Sequence, residues 1–297
     1  MTYSIVIRDS ESGAFGVAVQ SHWFNVASVV PWVEGSVGAV ATQSVADPWY
    51  GPRGLALMRD GVSSTETLDR LLAADASSHL RQVAMIDATG TVAVHTGTGC
   101  IPFASHAVGD GWSVQANIMR NDRVVPAMAT AAESSRGPLA DRLFAILSAA
   151  EAAGGDLRGS QSAAILVSGD GPVPAVRLAV EDHADPIAEM RRLLEIRRMY
   201  DDMESGDDAL ADSDPVRAAA AYARAARSPH AHDEVRFWQA HGLATTGRYD
   251  EAAAIMSRLT ASNPDMLALL DRITTAGLIE SGDADGLLAA LDRQGRG

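Results

Sequence analysis

Thr2-Tyr3-Ser4-Ile5-Val6-Ile7-Arg8 and Phe15-Gly16-Val17-Ala18-Val19-Gln20, separated by Asp9-Ser10-Glu11-Ser12-Gly13, read as a β-hairpin at the head of the chain. β-Branched and aromatic residues carry both runs, and the connector is made of turn formers. Such a pair is antiparallel by construction. The same grammar recurs downstream. Residues 27–33 and 37–43 form a second pair about Glu34-Gly35-Ser36, and residues 82–87 and 92–96 a third over Ala88-Thr89-Gly90. Further strands are expected at 112–116, 161–167 and 175–180.

Between these hairpins the apolar period changes from two to about 3.6, which marks helices. They are expected at 54–60, at 64–74 with Leu68, Leu71 and Leu72 on one face, at 124–133 and at 139–152. Gly154-Gly155 supplies a helix-ending signal after the last of these. Single strands alternating with helices, the mark of a parallel doubly wound sheet, are missing. The order predicts an α+β fold in which two stacked antiparallel sheets are covered by helices.

After Asp182 the strand signals stop. A helix is expected over 186–203, then an acidic linker over 205–214, then alanine-rich helices at 215–226, 233–245, 249–259, 264–279 and 284–291. Gly247-Arg248-Tyr249-Asp250-Glu251-Ala252-Ala253, followed by Asn263-Pro264, resembles one unit of the tetratricopeptide repeat, whose helix pairs stack into solenoids. The expected organisation is a first domain over 1–204, a linker over 205–214 and an all-α helical-repeat tail over 215–297.

At 297 residues and 47% hydrophobic, the chain has ample material for two cores. A formal charge of −14 argues against nucleic-acid or anionic-membrane partners, which need a basic surface. Cys100 is the one cysteine, so neither an internal disulfide nor a thiolate metal cluster can form. The first residues lack a secretory pattern, and no run approaches the roughly 18 apolar residues of a membrane span, so a cytoplasmic location is expected. All 24 basic residues are arginine. Lysine Schiff bases, a lysine general base and a phosphate-loop lysine are therefore excluded.

A threonine at the chain start can be a nucleophile, because its own α-amine can serve as base. That amine has a pKa of about 7.7–8.0, so a useful fraction is neutral near pH 7. The precondition is removal of Met1. Met1-Thr2-Tyr3-Ser4-Ile5-Val6, Gly16-Val17-Ala18-Val19-Gln20-Ser21-His22-Trp23-Phe24 and Val29-Val30-Pro31-Trp32 together resemble a bacterial family assigned to the N-terminal nucleophile (Ntn) hydrolases. Ala41-Thr42-Gln43, Tyr50-Gly51-Pro52-Arg53-Gly54, His95-Thr96-Gly97, Gln115-Ala116-Asn117 and Gly154-Gly155-Asp156 to Gln161-Ser162-Ala163 extend the resemblance over the first two-thirds of the chain. It implies a four-layer αββα sandwich and a hydrolase with Thr2 as nucleophile. Because no lysine exists to tune that nucleophile, the implied activity is the amidase-like, lysine-free kind.

The catalytic set expected on this basis is Thr2, Ser21, His22 and Asn117. Gln43, Asp156, Arg158 and Gln161 are the expected substrate-binding residues, with Arg158 either forking onto a substrate carboxylate or pairing with Asp156. Cys100 reads as a small core residue and, as a rival, as a thiol nucleophile. His230, His232 and His241 lack a regular ligand spacing, so neither metal nor cofactor is expected. Gly97-Thr98-Gly99 and Gly109-Asp110-Gly111 are turns rather than phosphate loops, and there is no Gly-x-Ser-x-Gly elbow. The expected reaction cleaves a C–N bond of a small amide or ureido substrate, in a homo-oligomer such as a homodimer. The alternative is a non-catalytic scaffold whose helical tail recruits a protein partner.

Overall fold

The computed structural model describes residues 2–295. In chain order the strands and helices are β1 (Thr2–Arg8), β2 (Phe15–Ser21), β3 (Pro31–Glu34), β4 (Gly38–Ser44), α1 (Tyr50–Arg59), α2 (Ser64–Ala74), β5 (Arg81–Asp87), β6 (Val92–Thr96), β7 (Ser105–Gly109) and β8 (Trp112–Asn117). They continue with α3 (Val124–Ser134), α4 (Leu139–Ala152), β9 (Ser162–Ser168), β10 (Pro174–Val180) and α5 (Pro186–Ala211). The last are α6 (Pro215–Ala225), α7 (Asp233–Ala244), α8 (Tyr249–Ser262), α9 (Asp265–Thr275) and α10 (Ser281–Gln294). Two compact units divide the chain, residues 1–194 and 195–297.

In the first unit a six-stranded sheet has the order β10-β9-β2-β1-β8-β7 and a four-stranded sheet the order β3-β4-β5-β6. Every pairing in both is antiparallel. Side chains alternate between the two faces of each strand, and the cores follow that alternation. Tyr3, Ile5 and Ile7 of β1 pack with Met128 of α3, Leu143 and Ile146 of α4, and Met190 of α5. The alternate residue Val6 joins Val17 and Val19 of β2 and meets Ala39, Ala41, Ala84 and Ile86 of the four-stranded sheet. On that sheet's other face Val40, Val83 and Met85 pack on Tyr50, Leu55 and Met58 of α1 and Leu68 of α2. Each strand of the two central pairs is thus apolar on both faces for part of its length.

Several expected boundaries move, each for a packing reason. Residues 27–30 are not strand. Val26–Ser28 form a 3₁₀ turn after a left-handed Asn25, carrying the chain from β2 over to β3. Helix α1 opens at Tyr50, four residues before the expected start, and Gly51 is there because a Cβ would strike the Trp32 indole at 2.2 Å. Strand β7 was hidden because most of its residues are exposed at a sheet edge.

The second unit is helical, from the C-terminal part of α5 through α10. Residues 205–214, expected as a linker, are helical as far as Ala211. Met199, Met203, Gly206 and Leu210 recur at helical spacing, and Met199, Met203 and Ala209 share a core with Tyr222. Gly206 reads as a breaker, yet it is where the Tyr222 ring approaches too closely for a side chain. Acidic residues of 205–214 have partners on the next helix, Asp207 accepting from the Tyr222 hydroxyl at 2.7 Å and Asp212 from Arg217 Nη2 at 2.6 Å. The break falls later, where Asp214 caps α6 by accepting the Arg217 N–H at 2.9 Å, with Pro215 in the first turn.

Candidate active site

Thr2 is the first residue of β1 and lies directly opposite Ser21 of β2 on one side and Asn117 of β8 on the other. Cross-strand partners point to the same face, so these three form a row. They look toward the four-stranded sheet, where Gln43 is paired with Gln82 and Gln82 with Thr96. Two polar rows therefore meet in the interior at one end of the sheets.

The rows are joined by hydrogen bonds. The Thr2 and Ser21 hydroxyls lie 3.0 Å apart. Gln43 Nε2 donates to the Thr2 carbonyl at 3.2 Å and to Gln82 Oε1 at 2.7 Å. Gln82 Oε1 also accepts from Asn117 Nδ2 at 2.9 Å. Gln82 Nε2 in turn donates to the Ala116 carbonyl at 3.0 Å and to Thr96 Oγ1 at 2.9 Å. Thr96 Oγ1 also bonds His106 Nδ1 at 2.9 Å. One layer deeper, Gln115 Nε2 donates to Ser4 Oγ at 2.6 Å and Ser113 Oγ to Gln115 Oε1 at 3.0 Å. Among the described residues, Gln43 Oε1 and Asn117 Oδ1 are buried without a partner.

A cavity of about 390 Å³ opens onto this cluster. Thr2, Ser21, Gln43 and Ser44 give its polar part, and the rest is apolar, including Val26, Val29 and Val30 from the turn after β2. Thr2 and Ser21 are 3% and 1% exposed, so their hydroxyls meet the cavity rather than bulk solvent. Partial desolvation, and then the neighbouring His95, hold the His106 ring, on the exposed edge strand, below the usual imidazole pKa.

The eight expected site residues separate into two groups. Thr2, Ser21 and Gln43 line the cavity, with Asn117 beside Thr2. His22, Asp156, Arg158 and Gln161 are not among its lining residues. Asp156 Oδ2 accepts from Arg158 Nη2 at 2.9 Å, and Asp156 Oδ1 from the Arg158 backbone N–H at 2.8 Å. The His22 backbone N–H reaches the same carboxylate at 3.4 Å. Gln161 gives its side chain to Asp182 at 3.0 Å and only its backbone N–H to the Ser21 carbonyl at 3.1 Å. Of the two roles open to Arg158, it takes the pairing with Asp156. Met1, whose removal would expose the Thr2 amine, lies outside the described residues.

Gln82, Thr96 and Ser44 were not anticipated. The signal for Gln82 was a polar residue opening an otherwise apolar strand, which looks like a strand end until its partners are known. Cys100 is buried, with Sγ 3.4 Å from the Arg81 carbonyl. His95 bonds the Ser78 carbonyl at 2.9 Å and His106 bonds Thr96, so each imidazole has its own partner away from that thiol. Among the described residues, no group of three or more His, Cys, Asp or Glu is placed to hold a metal ion. No helix among them is long and apolar enough to cross a membrane.

Fold and cluster define a class: a mixed α/β protein of two antiparallel sheets, with a hydroxyl pair and an amide network at the buried end of a cavity. Residues 2–190 match the model of a family of unknown function, DUF1028, and the chain belongs to that family. The crystal structure of protein SPO2555 from Silicibacter pomeroyi, which carries the same family model, is similar to this chain with a TM-score of 0.61 and 28% identity. It covers 65% of this chain and 84% of that one. A search of the curated proteins found no match.

Proposed function

We propose that the first unit is an Ntn-type amidohydrolase that cleaves a C–N bond of a small amide or ureido substrate, with Thr2 as nucleophile once Met1 is removed. The observation that carries this reading is Thr2 itself, whose hydroxyl stands at the first residue of the central strand, paired with Ser21 and facing a cavity. The three cores, taken in order, put helices, sheet, sheet and helices side by side, which supports the αββα layering that the sequence resemblance implies.

In this mechanism Thr2 Oγ attacks the carbonyl carbon while its proton passes to the neutral α-amine. The C–N bond then breaks, the amine returns that proton to the leaving nitrogen, and water hydrolyses the remaining ester. The Asn117 Oδ1 atom, buried without a partner in the strand beside Thr2, is an acceptor suited to an α-amine N–H. Both N–H groups of Gln43 are already given to acceptors, so Gln43 braces the Thr2 backbone rather than stabilising an oxyanion. The Ser21 hydroxyl and the second Asn117 N–H flank Thr2 from either side and are the donors assigned to that role.

The test combines the intact mass of purified protein with turnover of wild type and Thr2→Ala against amide and ureido panels. The expected result is a chain starting at Thr2 and activity lost in the variant. Active protein that retains Met1, or a Thr2→Ala variant as active as wild type, overturns it.

A second reading, a scaffold with a tetratricopeptide-like tail, is favoured by one feature: a 670 Å³ depression along α6, α7 and α8, lined by small residues such as Ala219, Ala220 and Ala223. Under it, Ala220→Arg impairs the protein's biological role while Thr2→Ala leaves it intact.

A further inference from the structure

The cavity at Thr2 also restricts what can enter it. Among the described residues its lining contains no ionisable side chain, and the Thr2 α-amine of the proposed mature chain is the titratable group that stands there. Trp23, Val26, Val29 and Val30 from the segment after β2, and Val45, Ala46 and Pro48 of the loop between β4 and α1, supply its apolar lining. The polar groups are confined to the Thr2 end, where Ser21, Gln43 and Ser44 sit. Trp23 and Val45 are 60% and 51% exposed, which places them at the entrance.

The carboxylate and guanidinium groups nearby in sequence are already engaged. Asp47, between two lining residues, turns its carboxylate onto the Trp49 backbone N–H at 3.0 Å. Arg81 is held by Asp75 at 2.7 Å and by the Val45 carbonyl at 2.6 Å. Arg53 lies over the Trp49 ring, 5.4 Å from its centroid. Arg158, for which a substrate carboxylate and Asp156 were both expected partners, is paired with Asp156.

We infer that this site takes uncharged substrates: an amide carbonyl at Thr2 carrying an apolar alkyl or aryl group that fills the valine-lined wall, with carboxylate- and ammonium-bearing homologues rejected. The inference builds on the hydrolase reading for the placement of the carbonyl, and on the lining alone for the apolar group. Apolar burial strengthens binding by about fourfold per methylene. A buried carboxylate or ammonium without a partner loses its hydration and gains nothing in exchange. At 390 Å³ the cavity lies toward the small end of ordinary ligand sites, about 300–1,000 Å³, so the series is short.

Three probes of similar length test it: hexanamide, adipamate and 6-aminohexanamide, titrated calorimetrically into the full chain and into the Thr2→Ala and Val45→Arg variants. Hexanamide is expected to bind at least about tenfold more tightly than either charged probe. The same preference is expected in Thr2→Ala, which lacks the nucleophile but keeps the wall. Val45→Arg, a substitution at an exposed position, is expected to weaken hexanamide and to strengthen adipamate by about tenfold. Equal or tighter binding of a charged probe, no binding by hexanamide, or hexanamide binding unmoved in Val45→Arg each overturns the inference. Its failure is separable from that of the hydrolase reading: selective binding without turnover sinks only the hydrolase, and Thr2-dependent turnover of charged amides sinks only the apolar specificity.

Discussion

The space between the two sheets has a dry end and a polar end, and neighbouring positions of the same strands supply both. At the dry end Val6, Val17, Ala39 and Ile86 pack together, and Ser113, opposite Val6, is satisfied by Gln115 Oε1. Four residues back along β1 the same face presents Thr2, with Ser21, Asn117, Gln43 and Gln82 around it. Burial at the dry end stabilises by roughly 25 cal/mol per Å² of apolar surface. At the polar end, desolvation cancels most of what the hydrogen bonds return, leaving about 1 kcal/mol for each. Each orphaned acceptor costs about 1–3 kcal/mol more, and Gln43 Oε1 and Asn117 Oδ1 are two of them. A fold selected only for stability would continue the valines to the strand ends. Their replacement by amides and hydroxyls beside a cavity is the kind of local conflict found at functional sites.

The contrast can be broken most sharply at Thr2. Thr2→Ala is expected to lower kcat/KM by at least about 10³-fold while changing unfolding free energy by no more than about 1 kcal/mol. Steady-state kinetics and denaturant titration read the two separately. Next comes Gln82→Leu, which strands the amide hydrogens of Gln43 and Asn117. It should cost about 3 kcal/mol of stability and reduce kcat more than it alters KM, since Gln82 positions the groups around Thr2 without lining the cavity. At the dry end, Val17→Ala should cost about 2 kcal/mol by opening space, with kcat unchanged. Equal losses of kcat in Val17→Ala and Gln82→Leu would erase the distinction between the two ends.

The smallest effect concerns His106, whose pKa partial desolvation lowers below the ordinary imidazole value. The neutral form is favoured in the fold, so its contribution is complete above about pH 6.5 and is lost as pH falls from there through the folded value. Wild type should therefore melt lower at pH 5 than at pH 7, and His106→Gln should flatten part of that slope. His241 in the helical unit, held to about 4 by burial, gives the same sign and is present in both proteins, so it cancels in the difference.

The antiparallel hairpins, the strand-then-helix order and the helical tail could all be read from period and turn chemistry, because those signals are local. Residues 139–152 form α4 at the anticipated bounds. What escaped was set by contacts distant in sequence. Gly206 breaks nothing because Tyr222, sixteen residues later, fills the space its side chain would occupy. The site divides along the same line. Thr2, Ser21 and Gln43 were nominated at strand ends and do line the cavity, whereas Gln82 needed the pairing of β5 with β4 to reveal its partners. For Arg158 the sequence leaves two partners open, and it pairs with Asp156, the local one, two residues away.

A cavity lined by valines, hydroxyls and amides has a kinetic signature. Bell-shaped rate profiles arise when an acidic and a basic side chain must each be in one protonation state. Here the one titrating participant assigned to the proposed reaction is the amine of Thr2 itself. The rate should climb along a single limb as that amine loses its proton, near its ordinary pKa of about 7.7–8.0, and then level off. The alkaline plateau would mark an enzyme whose acid–base chemistry belongs to its backbone terminus.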